Sequence, residues 1–273
     1  MPRCGPVAVV SLFLLIGCAT SREPGIVTLP VPGVRPVARL DAIFDYRAAV
    51  TTIDSAMQSE LGERPFPVTF RFFPDRTAFE VELLGLGYPL PLAHDAAATM
   101  AAIGGHRMVL LNDGVLSALS WRDRVAILAH ELGHTLQYEL GGGARGTSDQ
   151  WLREGFAEWL TMRVMVRLGG MSADEFRRQK VDDYRMRNRS ATPRLGDMLT
   201  FPEWVALSGR GTALYSYAFV AVDFLIERHG VPAVLDYFQR FAASQDRVGN
   251  FDRTFGETLP AFEAAFEAHV AEH

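Results

Sequence analysis

The stretch SWRDRVAILAHELGHTLQYELGGG, Ser120 to Gly143, constrains the fold more than any other part of the 273-residue chain. Ser120 with Asp123 three residues on makes a capping-box-like start, and Gly141, Gly142 and Gly143 end the run, framing a helix of about twenty residues. At 100° per residue, Val125, Leu128, Leu132 and Leu136 form one stripe. Ile127, His130, Glu131, His134 and Tyr138 form another on roughly the opposite side. Neither side reads as a solvated face. The helix is expected to be buried, with its second face lining something.

That second face carries the pattern H-E-x-x-H. Two imidazoles at i and i+4 project together and can ligate one Zn²⁺, each ring's other nitrogen being oriented by a further partner. Glu131 lies about 100° round from His130, which removes it from the ligand set but leaves it within reach of a metal-bound water. There it would take the proton as that water attacks a carbonyl, then return it to the leaving amine. A catalytic zinc needs a third protein ligand. In DQWLREGFAEWL, Asp149 to Leu160, Glu154 and Glu158 share a face of a second helix that ends at Gly169 and Gly170. Glu154 lies nearer the preceding loop and is followed by Gly155, whose missing side chain is expected to let the two helices approach. Glu154 is therefore the expected ligand. Glu158, one turn on, is the expected acceptor for a ligand histidine.

His130, Glu131 and His134 followed by W-L-x-E-G-F-A at Trp151 to Ala157 resemble the gluzincin metallopeptidases, in their aminopeptidase N-like or peptidase MA branch. In that family the third ligand is the glutamate of the second motif. Nineteen residues separate His134 from Glu154, one more than is usual there, and the loop GGGARGTSD can absorb the difference. The resemblance implies an α+β, zincin-like fold and a zinc-dependent peptidase that hydrolyses peptide bonds through a zinc-bound water activated by Glu131. Its partner would be a peptide or protein substrate. In GTALYSYAFVAVDFLIERHG, Gly211 to Gly230, Tyr215 aligns with the family's tyrosine that stabilises the developing oxyanion, with Tyr217 as the alternative. HRMVLLND, His106 to Asp113, reads either as an edge strand on which an extended substrate adds or as a plain core strand. GGHRMVLL stands where the aminopeptidases carry G-x-M-E-N and has no acid, so exopeptidase specificity is not carried over.

The first residues, MPRCGPVAVVSLFLLIGCATS, hold one arginine and then an apolar run from Val7 to Ile16, too short to span a bilayer and suited to a secretory h-region. LIGC, Leu15 to Cys18, resembles a bacterial lipobox, which implies cleavage before Cys18 and a membrane anchor through lipidated Cys18. Residues 1–17 are then a lipoprotein signal peptide, and the Pro/Gly-rich residues 18–38 a tether. Ala19 after the cysteine favours the outer membrane of the cell envelope, facing the periplasm. Cys4, the only other cysteine, lies in the removed segment, so the mature chain is expected to have no disulfide and no cysteine ligand. A formal net charge of −5, with no basic run interleaved with aromatics, argues against a nucleic-acid partner. The pattern carries no signal for an oligomeric state.

The body of the chain is expected to be one peptidase domain, 39–273, with a mixed α/β lobe over 39–120, a helical lobe over 121–273 and a cleft between them. Residues 40–61 have mostly helical apolar spacing, PVTFRFFP at 67–74 alternates as a strand, and DRTAFEVELLGLG continues as a short helix. GLGYPLPLAH reads as a surface loop, and the charged residues 175–190 as a solvated helix or lid. His94, His106, His269 and His273 lack ligand spacing, His229 suits a helix end, and Phe262 and Phe266 suit the core. Two other functions fit the same pattern: a zincin-like binding or assembly lipoprotein without turnover, and an amidase acting on cell-wall peptide. The first has no use for the unligated Glu131.

Overall fold

The computed structural model of the protein describes residues 25–62, 66–187, 193–208 and 213–272. Residues 1–17, expected to be a signal peptide, Cys18 and His273 lie outside them. The chain is α+β, with every described strand before residue 113 and helices alone after it.

Four strands, β1 (Ile26–Leu29), β2 (Val68–Phe73), β3 (Ala102–Gly105) and β4 (Met108–Asn112), form one sheet in the order β1-β2-β4-β3. β2 runs parallel to β4, and the two edge strands are antiparallel to their neighbours. Helix α1 (Tyr46–Leu61) starts where the Asp45 carboxylate accepts the Ala48 amide and stops at Gly62, whose φ of 81° no ordinary side chain favours. Helices α2 (Arg76–Gly85) and α3 (Leu90–Thr99) cover part of the sheet through Phe79, Leu83, Ala93 and Ala97, which pack with Leu110. The short α4 (Asp113–Leu116) leads from β4 to α5 (Trp121–Leu140) and α6 (Gln150–Arg167), the central helices. Around them lie α7 (Ala173–Arg187), α8 (Phe201–Ser208), α9 (Leu214–Arg240), α10 (Arg247–Phe255) and α11 (Leu259–Glu272). The long α9 is interrupted at Gly230, whose φ of 79° leaves the helical region just before Pro232. One buried cluster runs from Val27 on β1 to Phe266 on α11, so strands and helices share a core. Phe262 and Phe266 are fully enclosed in it.

Two expectations change and one open alternative closes. The segment 18–38 is not a tether throughout: Val27, Leu29 and Val31 are buried, because IVTL alternates in burial and pairs with β2 as an edge strand. Within GLGYPLPLAH, the loop ends at Pro89, where Pro91 sits at an N-terminal position of α3 and the alanine-rich remainder continues as helix. HRMVLLND does not supply an edge, since β4 is paired on both sides, by β2 and β3. The edge on that side of the sheet is β3. Among the described residues no helix is long and apolar enough to cross a membrane.

Candidate metal centre

Helix α5 forms as its sequence reads. Ser120 caps it by accepting the Asp123 amide, and Val125, Leu128, Leu132 and Leu136 are buried while Ile127, His130, Glu131, His134 and Tyr138 are partly open. Helix α6 packs beside it, and Gly133 makes the approach close, since a Cβ there would meet the Ala157 Cα at 3.2 Å. Gly155 has a different neighbour from the one expected. A Cβ on it would lie 2.2 Å from the Ala218 carbonyl oxygen, so its bareness admits α9 and not α5.

The two helices bring His130, His134 and Glu154 together. Nε2 of His130 and Nε2 of His134 are 3.1 Å apart, and each lies near the same Glu154 oxygen, at 3.3 and 3.4 Å. A tetrahedral zinc with bonds near 2.0–2.1 Å spaces its ligand atoms about 3.3–3.4 Å from one another. The triangle therefore has the dimensions of one face of such a site, and its two nitrogens and one carboxylate oxygen are donors zinc accepts.

The remaining ring nitrogens decide which tautomers are present. Gln137, buried on α5, donates its amide N–H to the Arg153 carbonyl at 2.8 Å, which turns its oxygen toward Nδ1 of His134 at 3.0 Å. An amide oxygen only accepts, so that nitrogen carries a proton and Nε2 is the atom turned toward Glu154. Nδ1 of His130 faces the Glu158 carboxylate at 3.1 Å with the same result. Both Nε2 atoms thus face Glu154 and one another, an arrangement suited to a shared cation.

Charge balance favours a cation as well. Burial opposes the charged form of His130, but its hydrogen bonds to Glu154 and Glu158 and the charge of Glu131 hold its pKa well above the ordinary value. Burial would likewise raise the Glu154 carboxyl, yet His134 and His130 outweigh it and keep the group ionised far below the usual carboxylate range. Glu158 is held down in the same way by His130 and Lys180, which ion-pairs with it from α7. Gln150, one turn before Glu154, donates to its second oxygen at 2.5 Å.

Glu131 stands apart from this triangle. Its carboxylate accepts the Gly104 amide of β3 at 2.5 Å, and together with His130 it lines an open cavity of about 460 Å³. Tyr215, in the first turn of α9, lines the same cavity with its ring 5.9 Å from that of His130. Enclosure beside the cleft, with the charges of Glu154 and Glu131, raises its phenol pKa and keeps it a proton donor, although 43 % of the residue stays open. Tyr217 is elsewhere, 1 % exposed, stacked on Tyr184 with Phe266 tilted against it.

Comparison with family models, curated proteins and solved structures finds no match to this chain. The site is therefore read from its own geometry.

Other expected features fall into place around it. The charged segment at 175–190 is helical as far as Arg187 and fixed in position: Phe176 packs on Phe219, and Arg177 binds Asp223 of α9 at 2.7 Å. It is a wall of the cavity and not a detached lid. His94, His106 and His269 lie outside the ligand cluster, on Glu80, Glu139 and Phe224, and His229 pairs with Glu257 at 2.9 Å. Sequence reading missed Gln137, Gln150, Lys180 and Gly104. The first two have a helical signal, standing three residues after His134 and four before Glu154. Lys180 and Gly104 have none, since only the tertiary fold brings them to the site.

Proposed function

We propose that this protein is a zinc-dependent peptidase of the zincin-like type, anchored in the bacterial envelope through lipidated Cys18, with Glu131 as the catalytic base. The observation that carries the reading is the division of labour among the carboxylates. Glu154 faces both ligand nitrogens, whereas Glu131, next to His130 in sequence, is turned onto the Gly104 amide and borders the cavity. A metal held only for structure has no use for such a group.

His130, His134 and Glu154 would hold the zinc, and when bound it supplies Lewis acidity that polarises a carbonyl and acidifies water. The chain supplies the rest. Glu131 removes the proton from the attacking water and passes it to the departing amine, so that neither charge is left unpaired. Tyr215 offers its phenolic proton to the oxygen on which charge develops. Gln137 and Glu158 hold the two rings in the ligating tautomer.

The sheet edge suits an extended peptide. Asn112 donates to the Ala101 carbonyl, so in the antiparallel alternation Ala101, Ile103 and Gly105 bond to β4, while Ala102 and Gly104 turn their amide groups outward. The Gly104 N–H is taken by Glu131, which aligns this edge with the reacting centre and leaves the outward groups of Ala102 for a substrate backbone. Substrate backbone added there would run past Glu131.

The reading is tested with the full chain loaded with zinc. Glu131→Gln should retain about one zinc per chain and lose hydrolysis of a mixed peptide library, and Glu154→Ala should lose the metal. Wild-type chain that holds zinc and cleaves no peptide would replace the enzyme with a binding lipoprotein. Cleavage confined to cell-wall peptide would move the activity to that amide.

A further inference from the structure

We infer that the cavity beside the metal centre receives a large apolar side chain from the interior of a peptide, and that the site does not select a free N-terminal amine. The inference rests on the peptidase reading and narrows its substrate class.

The cavity has the volume of a small-ligand site, about 460 Å³. Its walls beyond the reacting groups are largely apolar. Ala126 and Ile127 stand four and three residues before His130 and so share its helix face, while Phe176 enters from α7 and Met100 from the end of α3. Thr161 adds little polarity, because its hydroxyl donates to the Ala157 carbonyl of its own helix at 2.9 Å. A leucine, methionine or phenylalanine side chain placed here leaves water for a surface of its own kind.

Apart from the proposed base, the charged groups of the cavity are already paired. Glu131 accepts the Gly104 amide, and Glu158 divides its two oxygens between Nδ1 of His130 and the Lys180 ammonium. Lys180 is neutralised by the same contact. Among the described lining residues the one carboxylate with no cationic partner is Glu131, which the proposed reaction needs as its base, and no side-chain cation remains for a terminal carboxylate. A charged chain end would have to occupy Glu131 itself, and so disable the base, or break the His130–Glu158 or Lys180–Glu158 pair that holds the His130 ring. A neutral, internal peptide segment asks for neither.

The test uses zinc-loaded full chain and peptides blocked by N-acetylation and C-amidation, varied at one position among Leu, Phe, Ala, Gly and Asp, each beside a free-amine counterpart. Internal cleavage of the blocked peptides is expected, with kcat/KM for Leu or Phe roughly 10- to 100-fold above Gly, the range that burying one such side chain supports. Ala126→Phe, which fills the cavity wall, should lower the Leu-over-Ala ratio. Release of single residues from free N-termini with blocked peptides inert would overturn the inference, and so would equal rates for Leu and Gly. If the wild type cleaves nothing, the peptidase reading falls separately and the subsite is judged by binding. N-acetyl-leucine hydroxamate binding about tenfold more tightly than N-acetyl-glycine hydroxamate by calorimetry sustains it, and equal affinities overturn it.

Discussion

The Gly104 amide donates to the Glu131 carboxylate at 2.5 Å, tying the edge strand of the sheet to the group proposed as the base. The contact leaves no room for a side chain. A Cβ at 104 would lie 2.6 Å from the Glu131 carbonyl oxygen and 3.0 Å from its carboxylate, so β3 or α5 must shift to admit it. Gly104→Ala is expected to retain zinc, to lose about 1–3 kcal/mol of stability to overpacking, and to lower kcat roughly a hundredfold through misplacement of Glu131. Steady-state kinetics with metal analysis checks this. Wild-type kcat in that variant would separate the strand from the base.

Gln137 reaches the proposed metal centre only through His134. Its amide is locked by the Arg153 carbonyl at 2.8 Å, and the lock is what presents an acceptor to His134. Gln137→Leu removes both contacts, freeing the ring to change tautomer and leaving a buried carbonyl without its donor. Zinc affinity is expected to fall about 10- to 100-fold, and stability by about 1–3 kcal/mol. Competition against a fluorescent chelator reads the first effect and denaturant unfolding the second. Unaltered zinc affinity would show that His134 is oriented by the ligand triangle alone.

The grouping of His130, His134 and Glu154 was legible because helical geometry alone relates residues three or four apart, and α5 carries caps at both ends. His130, Glu131, His134 and Glu154 needed no tertiary information beyond a second helix. The strands were legible by content: VTFRFF alternates, and MVLLN is a continuous apolar run. β3 was hidden because AIGG is four residues long with two glycines and one β former, Ile103, and its place at the edge depends on which strands pair. β1 was hidden by flanking Pro and Gly, its partner lying some forty residues on. Gly155 shows the same limit from the helical side. Its bareness is plain in the sequence, but the carbonyl it accommodates belongs to Ala218 on another helix, far along the chain.

Tyr215 and Tyr217 are two residues apart in sequence and occupy opposite environments. Only Tyr215 borders the cavity with His130 and Glu131, while Tyr217 is stacked in the core. Tyr215→Phe should therefore keep zinc and lower kcat by about 10²–10³, the loss typical of an oxyanion donor, with little change in KM. Tyr217→Phe should keep both kinetic constants near wild type. Equal losses in the two variants would trace the effect to helix α9 as a whole instead of to one phenol.

Asp149, at the entry to α6, links stability to pH at a distance from the ligand atoms. It is 1 % exposed; burial, opposed by the Tyr237 hydroxyl at 2.8 Å and by Arg247, raises its pKa from 3.8 to about 6. With a folded pKa above the unfolded one, the native state binds more protons between these values. Its contribution is complete below pH 3.8 and is lost as pH rises through about 6, where the buried carboxylate ionises. Asp149→Asn stays neutral throughout and still offers Tyr237 an acceptor. The variant should therefore gain stability relative to wild type between pH 4 and 7, by up to about 3 kcal/mol, and the two should converge toward acid. Urea unfolding of both proteins across that range measures the difference directly. A gap independent of pH would show that Asp149 titrates alike in the folded and unfolded chain.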